Sequence, residues 1–123
     1  MYAISAENHG VDTVKVPLVD CQLDMAGLKA QANNAGNNIK VVFLCSPGNP
    51  TGNLLAREQI IEAIELFKDK AIVVVDEAYI EFSAEATVTD LFERYDNLVV
   101  LRTLSKAFAL AGLRCGFTLA NPD

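Results

Sequence analysis

Three short apolar runs set the rhythm of this chain: Val41-Val42-Phe43-Leu44, Ile72-Val73-Val74-Val75 and Leu98-Val99-Val100-Leu101. Each is rich in β-branched residues and apolar at consecutive positions, which predicts a strand covered on both faces, as in a parallel sheet. Between the first two, Ile60, Ile61, Ile64 and Phe67 share one helical face, while Glu58, Glu62, Glu65 and Lys68 share the other. A weaker helix is expected from Thr87 to Tyr95. Upstream, Val14, Val16 and Leu18 alternate as in a strand, and a helix from Asp24 to Ala32 follows, with Asp24 as its cap. A last short strand is expected from Cys115 to Leu119. Strand and helix alternate throughout, so the fold class is α/β.

Polar clusters follow the three runs. Ser46-Pro47-Gly48-Asn49-Pro50-Thr51-Gly52 comes after the first, Asp76-Glu77-Ala78-Tyr79 after the second, and Thr103-Leu104-Ser105-Lys106 after the third. Asn49 and Asp76 are 27 residues apart, and Asp76 and Lys106 are 30 apart, each about one strand–helix–strand unit. If the strands are parallel neighbours, all three clusters leave the sheet at its carboxyl edge, where open α/β sheets bind ligands.

Composition narrows the classes. A length of 123 residues is one domain's worth, and 51% apolar residues exclude disorder. Ten basic against sixteen acidic residues, a net charge of −6, argue against non-specific binding to nucleic acid. No apolar run approaches the roughly 20 residues of a membrane span. The start, Met1 to Glu7, has neither the basic region nor the apolar core of a secretion signal. Cys21, Cys45 and Cys115 form no Cys-x-x-Cys pair and sit in apolar contexts, so buried, reduced thiols in a cytosolic protein are expected. His9 stands alone, and no His/Cys/Asp set has metal-ligand spacing.

Each polar cluster admits a plain and a chemical reading. Lys106, among Leu104, Ala107 and Phe108, is either a surface lysine after a strand or a partly desolvated amine, nucleophilic toward an aldehyde. Asp76 can hold a cationic ring nitrogen, coordinate Mg²⁺ or cap the next turn. An acidic strand end also suits a nucleotide hydrolase, but the required G-x-x-x-x-G-K-[ST] loop is absent. Ser46 to Gly52 reads as a turn, within which Gly48 and Pro50 hold Asn49 so that its amide is presented. Arg114, eight residues after Lys106, carries a donor fork suited to phosphate, and Ser105 can add a hydroxyl. An amine for an aldehyde, a carboxylate for a ring nitrogen, donors for a ring oxygen, and Ser plus Arg for a phosphate together describe pyridoxal phosphate.

With Thr103-Leu104-Ser105-Lys106 continued as Ala107-Phe108-Ala109-Leu110-Ala111-Gly112-Leu113-Arg114-Cys115-Gly116, the three motifs in this order resemble the fold-type I pyridoxal-phosphate aminotransferases. The last stretch and Tyr79-Ile80-Glu81-Phe82 are most similar to the histidinol-phosphate branch of that family. The resemblance implies a three-layer sandwich around a mostly parallel sheet. It also implies roles: Lys106 is catalytic, joins the cofactor's aldehyde and moves the proton at the substrate's Cα. Asp76 would pair with the ring nitrogen, Asn49 and Tyr79 with the ring's phenolic oxygen, and Ser105 and Arg114 with the phosphate, with Thr103 a further contributor. The implied reaction moves an amino group between glutamate and imidazole-acetol phosphate, giving histidinol phosphate and 2-oxoglutarate in histidine biosynthesis. The implied setting is a cytoplasmic homodimer, with neither nucleic acid nor membrane as partner.

Members of that family carry an upstream phosphate-binding turn, a ring-stacking aromatic residue and a partner-subunit tyrosine, and a downstream small domain with a carboxylate-binding arginine. Residues 1–123 match none of these. They are therefore expected to be one partial domain, the central part of the large cofactor-binding domain, inactive in transamination by itself. Two alternatives remain at this point: another aminotransferase or phospho-amino-acid decarboxylase of the same fold, or a non-catalytic α/β module used for binding. Intact Lys106, Asp76, Asn49, Tyr79 and Arg114 favour an enzyme, because a repurposed module has no physical need for all five.

Overall fold

The computed structural model describes residues 1–122. Four strands form one sheet in the order β1 (Val41–Cys45), β2 (Ile72–Asp76), β3 (Leu98–Thr103), β4 (Gly116–Ala120). The first three run parallel, and β4 pairs antiparallel with β3. Around it lie α1 (Tyr2–Asn8), α2 (Met25–Ala32) and α3 (Arg57–Leu66).

Strand alternation divides the sheet into two faces. Leu44, Val73, Val75, Leu98 and Val100 point into the core, where they meet Leu28 of α2 and Ile60, Ala63, Ile64 and Phe67 at α3. The expected apolar stripe of α3 is thus the packed one, with Ile61 joining it half-buried. Asp24 caps α2 as anticipated: its Oδ1 accepts from the Gly27 amide at 2.9 Å. The third layer is α1, which meets the opposite face where the Tyr2 ring stacks on Phe43.

Four expectations need correction. The strands are not covered on both faces, since Val41, Phe43 and Ile72 remain exposed on the α1 side. Apolar pattern reports what a face prefers, while α1, with no buried residue of its own, covers only a small part of it. No helix spans Thr87 to Tyr95. That segment is a 3-10 turn at Thr89–Leu91 followed by further turns. Its Val88, Leu91 and Tyr95 are buried at helix-like spacing, but its backbone closes tight turns, with the Leu91 amide donating to Val88 O and the Phe92 amide to Thr89 O, while Thr87 and Val88 are anchored to Glu77. Val14 to Leu18 form no strand, because no neighbour pairs with them. The one bridge nearby joins Val19 to Gln22, and Gln22 and Gln59 fasten that turn to the start of α3. Finally, the cysteines are free but not buried: Cys21 and Cys45 are exposed and Cys115 is intermediate.

A buried ion pair, unforeseen in the sequence, closes the carboxyl end of the core. Glu77 is 1% exposed. Its Oε2 accepts from Arg102 Nε at 3.1 Å, Arg102 Nη2 at 2.9 Å and the Thr87 hydroxyl at 2.9 Å, and its Oε1 accepts from the Val88 amide at 2.8 Å. Every oxygen is thus satisfied, which is the condition under which a buried carboxylate is tolerated. Arg102→Ala would leave that charge uncompensated and is expected to cost about 3–5 kcal/mol. Denaturant unfolding of the protein measures this directly, and a loss comparable to a surface substitution would contradict the assignment.

Tyr95 supplies a pH dependence. Its ring is buried while its hydroxyl reaches out to donate to Glu65 Oε1 at 2.6 Å, and this bond, followed by burial, pushes the phenol above its ordinary 10.0. A raised folded-state value means stabilisation that is complete below pH 10 and lost as pH rises through the folded value, because the unfolded phenol ionises first. Stability is therefore expected to fall above about pH 10, and Tyr95→Phe to lessen that fall, as read from unfolding midpoints between about pH 8 and 11.

Candidate functional site

The register brings the strand ends level. Cys45 lies beside Asp76, and Asp76 beside Leu101. The clusters after β1, β2 and β3 therefore leave the sheet at one edge, as the spacing predicts. Among the described residues, no group of three or more His, Cys, Asp or Glu could hold a metal. No helix among them is long and apolar enough to cross a membrane.

The loop after β1 is tied down by its own hydrogen bonds. The Ser46 amide donates to Asp76 O at 3.1 Å, continuing the ladder past β1, and its buried hydroxyl accepts from the Leu55 amide at 3.1 Å. The Gly48 amide donates to Asn53 O and the Gly52 amide to Gly48 O, both at 2.8 Å. Gly52 takes φ +69°, a left-handed value that suits glycine. The loop leaves Asn49 exposed at its tip, with its Nδ2 donating to the Tyr79 hydroxyl at 2.6 Å. A cleft of about 440 Å³ opens beside this pair, lined by Pro47, Asn49, Pro50, Tyr79 and Phe82. A second hollow of about 290 Å³ lies at the opposite edge, near Lys40 and Lys70, and contains no candidate residue.

Asp76 ends β2 on the face opposite the core, half-buried. Its Oδ1 accepts from the Ala78 amide at 3.0 Å, and its Oδ2 accepts from the Tyr2 hydroxyl. Cys45 shares that face, where desolvation by its neighbours and then the charge of Asp76 push its thiol up, which keeps it protonated and a poor nucleophile.

After β3 the chain makes a closed excursion. The Leu104 amide donates to Cys115 O at 3.1 Å, so the segment returns to its starting point before entering β4. Thr103 is engaged within it: its Oγ1 accepts from the Ser105 amide at 3.1 Å and donates to Cys115 O at 3.4 Å. Lys106 Nζ stands 5.4 Å from the centroid of the Tyr79 ring. Lys106 is exposed, the first of the two readings its sequence allows, and Ala107 and Phe108 are exposed too and build no apolar wall around it. Arg114 is exposed in a left-handed conformation, and its guanidinium donates to Ala111 O at 3.1 Å. No hydrogen bond joins it to Ser105 among the described residues.

The structure thus brings Asn49 and Lys106 to Tyr79 and sets Asp76 on the same edge, while among the described residues no hydrogen bond links the side chains of Ser105 and Arg114 to these four. Tyr2 is a site neighbour that sequence reasoning missed, and no local pattern marks it. Glu77 and Arg102 were missed as well, although an acid that immediately follows a strand-end aspartate must face the other side of the sheet.

Residues 1–123 match the family model described as aminotransferase class I and II. The chain is 62% identical to a histidinol-phosphate aminotransferase of Colwellia psychrerythraea, over 98% of this chain and 34% of that protein. Among solved structures it is similar to a histidinol-phosphate aminotransferase from Clostridium acetobutylicum, with a TM-score of 0.86 and 28% identity, over 98% of this chain and 36% of that one. It is also similar to one from Sinorhizobium meliloti in complex with pyridoxal-5'-phosphate, with a TM-score of 0.82 and 30% identity, over 97% of this chain and 32% of that one. The chain spans about a third of the length of the relatives it matches.

Proposed function

Because the chain belongs to the class I and II aminotransferases, we propose that it is the central part of the cofactor-binding domain of a histidinol-phosphate aminotransferase that uses pyridoxal phosphate. The observation that carries this reading is the convergence of Asn49 and Lys106 on Tyr79, level with Asp76 at one sheet edge. The donor set fits the group. Asn49 and Tyr79 present an amide and a phenol side by side for a ring oxygen. Asp76 offers a carboxylate whose oxygens, each already holding one donor, keep further lone pairs for a ring nitrogen. Arg114 spends a single donor on Ala111 and keeps the rest of its fork for an anion, as does the Ser105 hydroxyl.

Pyridoxal phosphate, when bound, supplies an electron sink for negative charge that develops at the substrate's Cα. The chain's own part is then distributed by chemistry. Lys106 Nζ is the attachment point and moves the proton at Cα. Asp76 holds positive charge on the ring nitrogen, Asn49 and Tyr79 fix the ring's phenolic side, and Ser105 and Arg114 hold the phosphate. Exposure of Lys106 leaves its amine open to that group. The substrates of this reading are glutamate and imidazole-acetol phosphate, giving histidinol phosphate and 2-oxoglutarate. Its support is the similarity to the Colwellia and Sinorhizobium proteins. The cytoplasmic homodimer is part of the same proposal and rests on the family resemblance.

The test is to load the protein carrying this segment with pyridoxal phosphate, reduce with borohydride and map the modified peptide by mass. A single adduct on Lys106, weakened in Asp76→Ala and Arg114→Ala, is expected. Lys106→Ala is expected to lower amino transfer from histidinol phosphate by about 10²–10⁴-fold, the range for loss of a positioned acid–base group. An adduct on another lysine, or full activity in Lys106→Ala, would overturn the assignment.

A further inference from the structure

The loop that presents Asn49 is held from outside as well as from within, and Asn53 joins the two. Its backbone oxygen accepts from the Gly48 amide at 2.8 Å, closing the loop around Asn49. Its side-chain Oδ1 accepts from the Thr51 hydroxyl, and its Nδ2 donates to Cys21 O at 2.6 Å, 32 positions upstream. A Cβ on Gly48 would come within 2.9 Å of Thr51 Oγ1 and 3.0 Å of Asn53 Oδ1. The Thr51–Asn53 pair therefore lies directly against the residue that precedes Asn49. The upstream anchor is a tight turn in which Val19 and Gln22 exchange both backbone hydrogen bonds at 2.9 Å. Its central residues, Asp20 at φ +50° and Cys21 at φ +61°, are left-handed without being glycine, an uncommon state that persists only where the surroundings impose it. The turn aims Cys21 O at Asn53. Just beyond, the Gln22 side chain grips the backbone, donating to Leu54 O at 2.9 Å and accepting from the Ala56 amide at 2.8 Å.

Asn49 itself makes one hydrogen bond among the described residues, from its Nδ2 to the Tyr79 hydroxyl. That contact orients the amide but does not fix the backbone that carries it. We propose that Asn53 is a positioning residue for Asn49: by tying Gly48 and Thr51 to the turn at Cys21, it holds the Asn49 amide where it meets the cofactor's phenolic oxygen. This rests on the reading of Asn49 as a partner of that oxygen. Asn53 touches neither cofactor nor substrate in this account, and acts only through Asn49.

A purely structural brace would weaken every ligand of the site alike, and the phenolic oxygen separates the two roles. The probes are pyridoxal phosphate and its 3-deoxy analogue, which carries hydrogen in place of the phenolic hydroxyl. Each is bound to the cofactor-free protein carrying this segment and followed by fluorescence. Wild type is expected to prefer pyridoxal phosphate, and Asn49→Ala to narrow that preference. Asn53→Ala is expected to weaken pyridoxal phosphate about tenfold, the scale of one hydrogen bond, and to leave the analogue's affinity unchanged. In an Asn49→Ala background the same substitution is expected to add nothing, because its effect passes through the Asn49 amide. Equal weakening of both probes, or of neither, or a full further loss in that background, overturns the positioning role. If Asn49→Ala itself keeps the preference intact, the assignment of Asn49 fails, and the role of Asn53 falls with it. Thr51→Val serves where Asn53→Ala does not fold: it keeps the side chain's shape and removes only the hydroxyl bonded to Asn53. It is expected to narrow the preference in the same direction, and a preference left unchanged overturns the role.

Discussion

Asp76 and Glu77 are adjacent acids that the pleat sends in opposite directions, and most of the carboxyl edge follows from that division. Asp76 faces the α1 side, where it is half-buried and available to a ligand. Glu77 faces the core, where it is fully enclosed and must be met by Arg102, Thr87 and Val88. Because the side-chain period of a strand is two, a slip of one residue would exchange the two acids. The result would be a shorter carboxylate in the core, set back by one methylene from Arg102, Thr87 and Val88, with Glu77 in solvent. The alternation is therefore locked by a penalty larger than any single apolar contact supplies. It also draws the turn after β2 down onto Glu77, so that Tyr79 emerges beside Asn49.

The parts of the fold that could be read from sequence are those whose cause is local. Consecutive β-branched residues at 41–44, 72–75 and 98–101 mark strands because few other structures tolerate them, and the stripe on α3 marks a helix for the same reason. The segment from Thr87 to Tyr95 shows the limit. Its apolar spacing suits a helix, yet its backbone closes a 3-10 turn and further tight turns, because intrinsic preference is weak and tertiary context decides. Val14 to Leu18 fail for the converse reason, since alternation without a neighbouring strand has nothing to pair with.

The site divides in the same way. Asn49, Asp76, Tyr79, Ser105 and Lys106 stand in short motifs at or directly after strand ends, so spacing predicts that they share an edge. The contact of Lys106 with the Tyr79 ring and the bond between Asn49 and Tyr79 are the structural form of that prediction. Tyr2 could not be found so, because its relation to Asp76 passes through Phe43 and the open face of the sheet, which no window of sequence contains. Sequence left two readings of Lys106 open, and the structure takes the exposed one, since apolar neighbours in sequence need not be neighbours in space.

The closed excursion between β3 and β4 has a consequence for how such a site can vary. Its two ends are joined by the bond from Leu104 to Cys115 and by the antiparallel pairing that follows. Residues 105–114 therefore behave as a cassette clipped into a finished frame. The entropy of closing it grows only slowly with its length, so insertions or exchanges there leave the strand pairing undisturbed. A lineage can re-tailor the surroundings of Lys106, Ser105 and Arg114 while the sheet that aligns Asp76 with Asn49 is inherited intact.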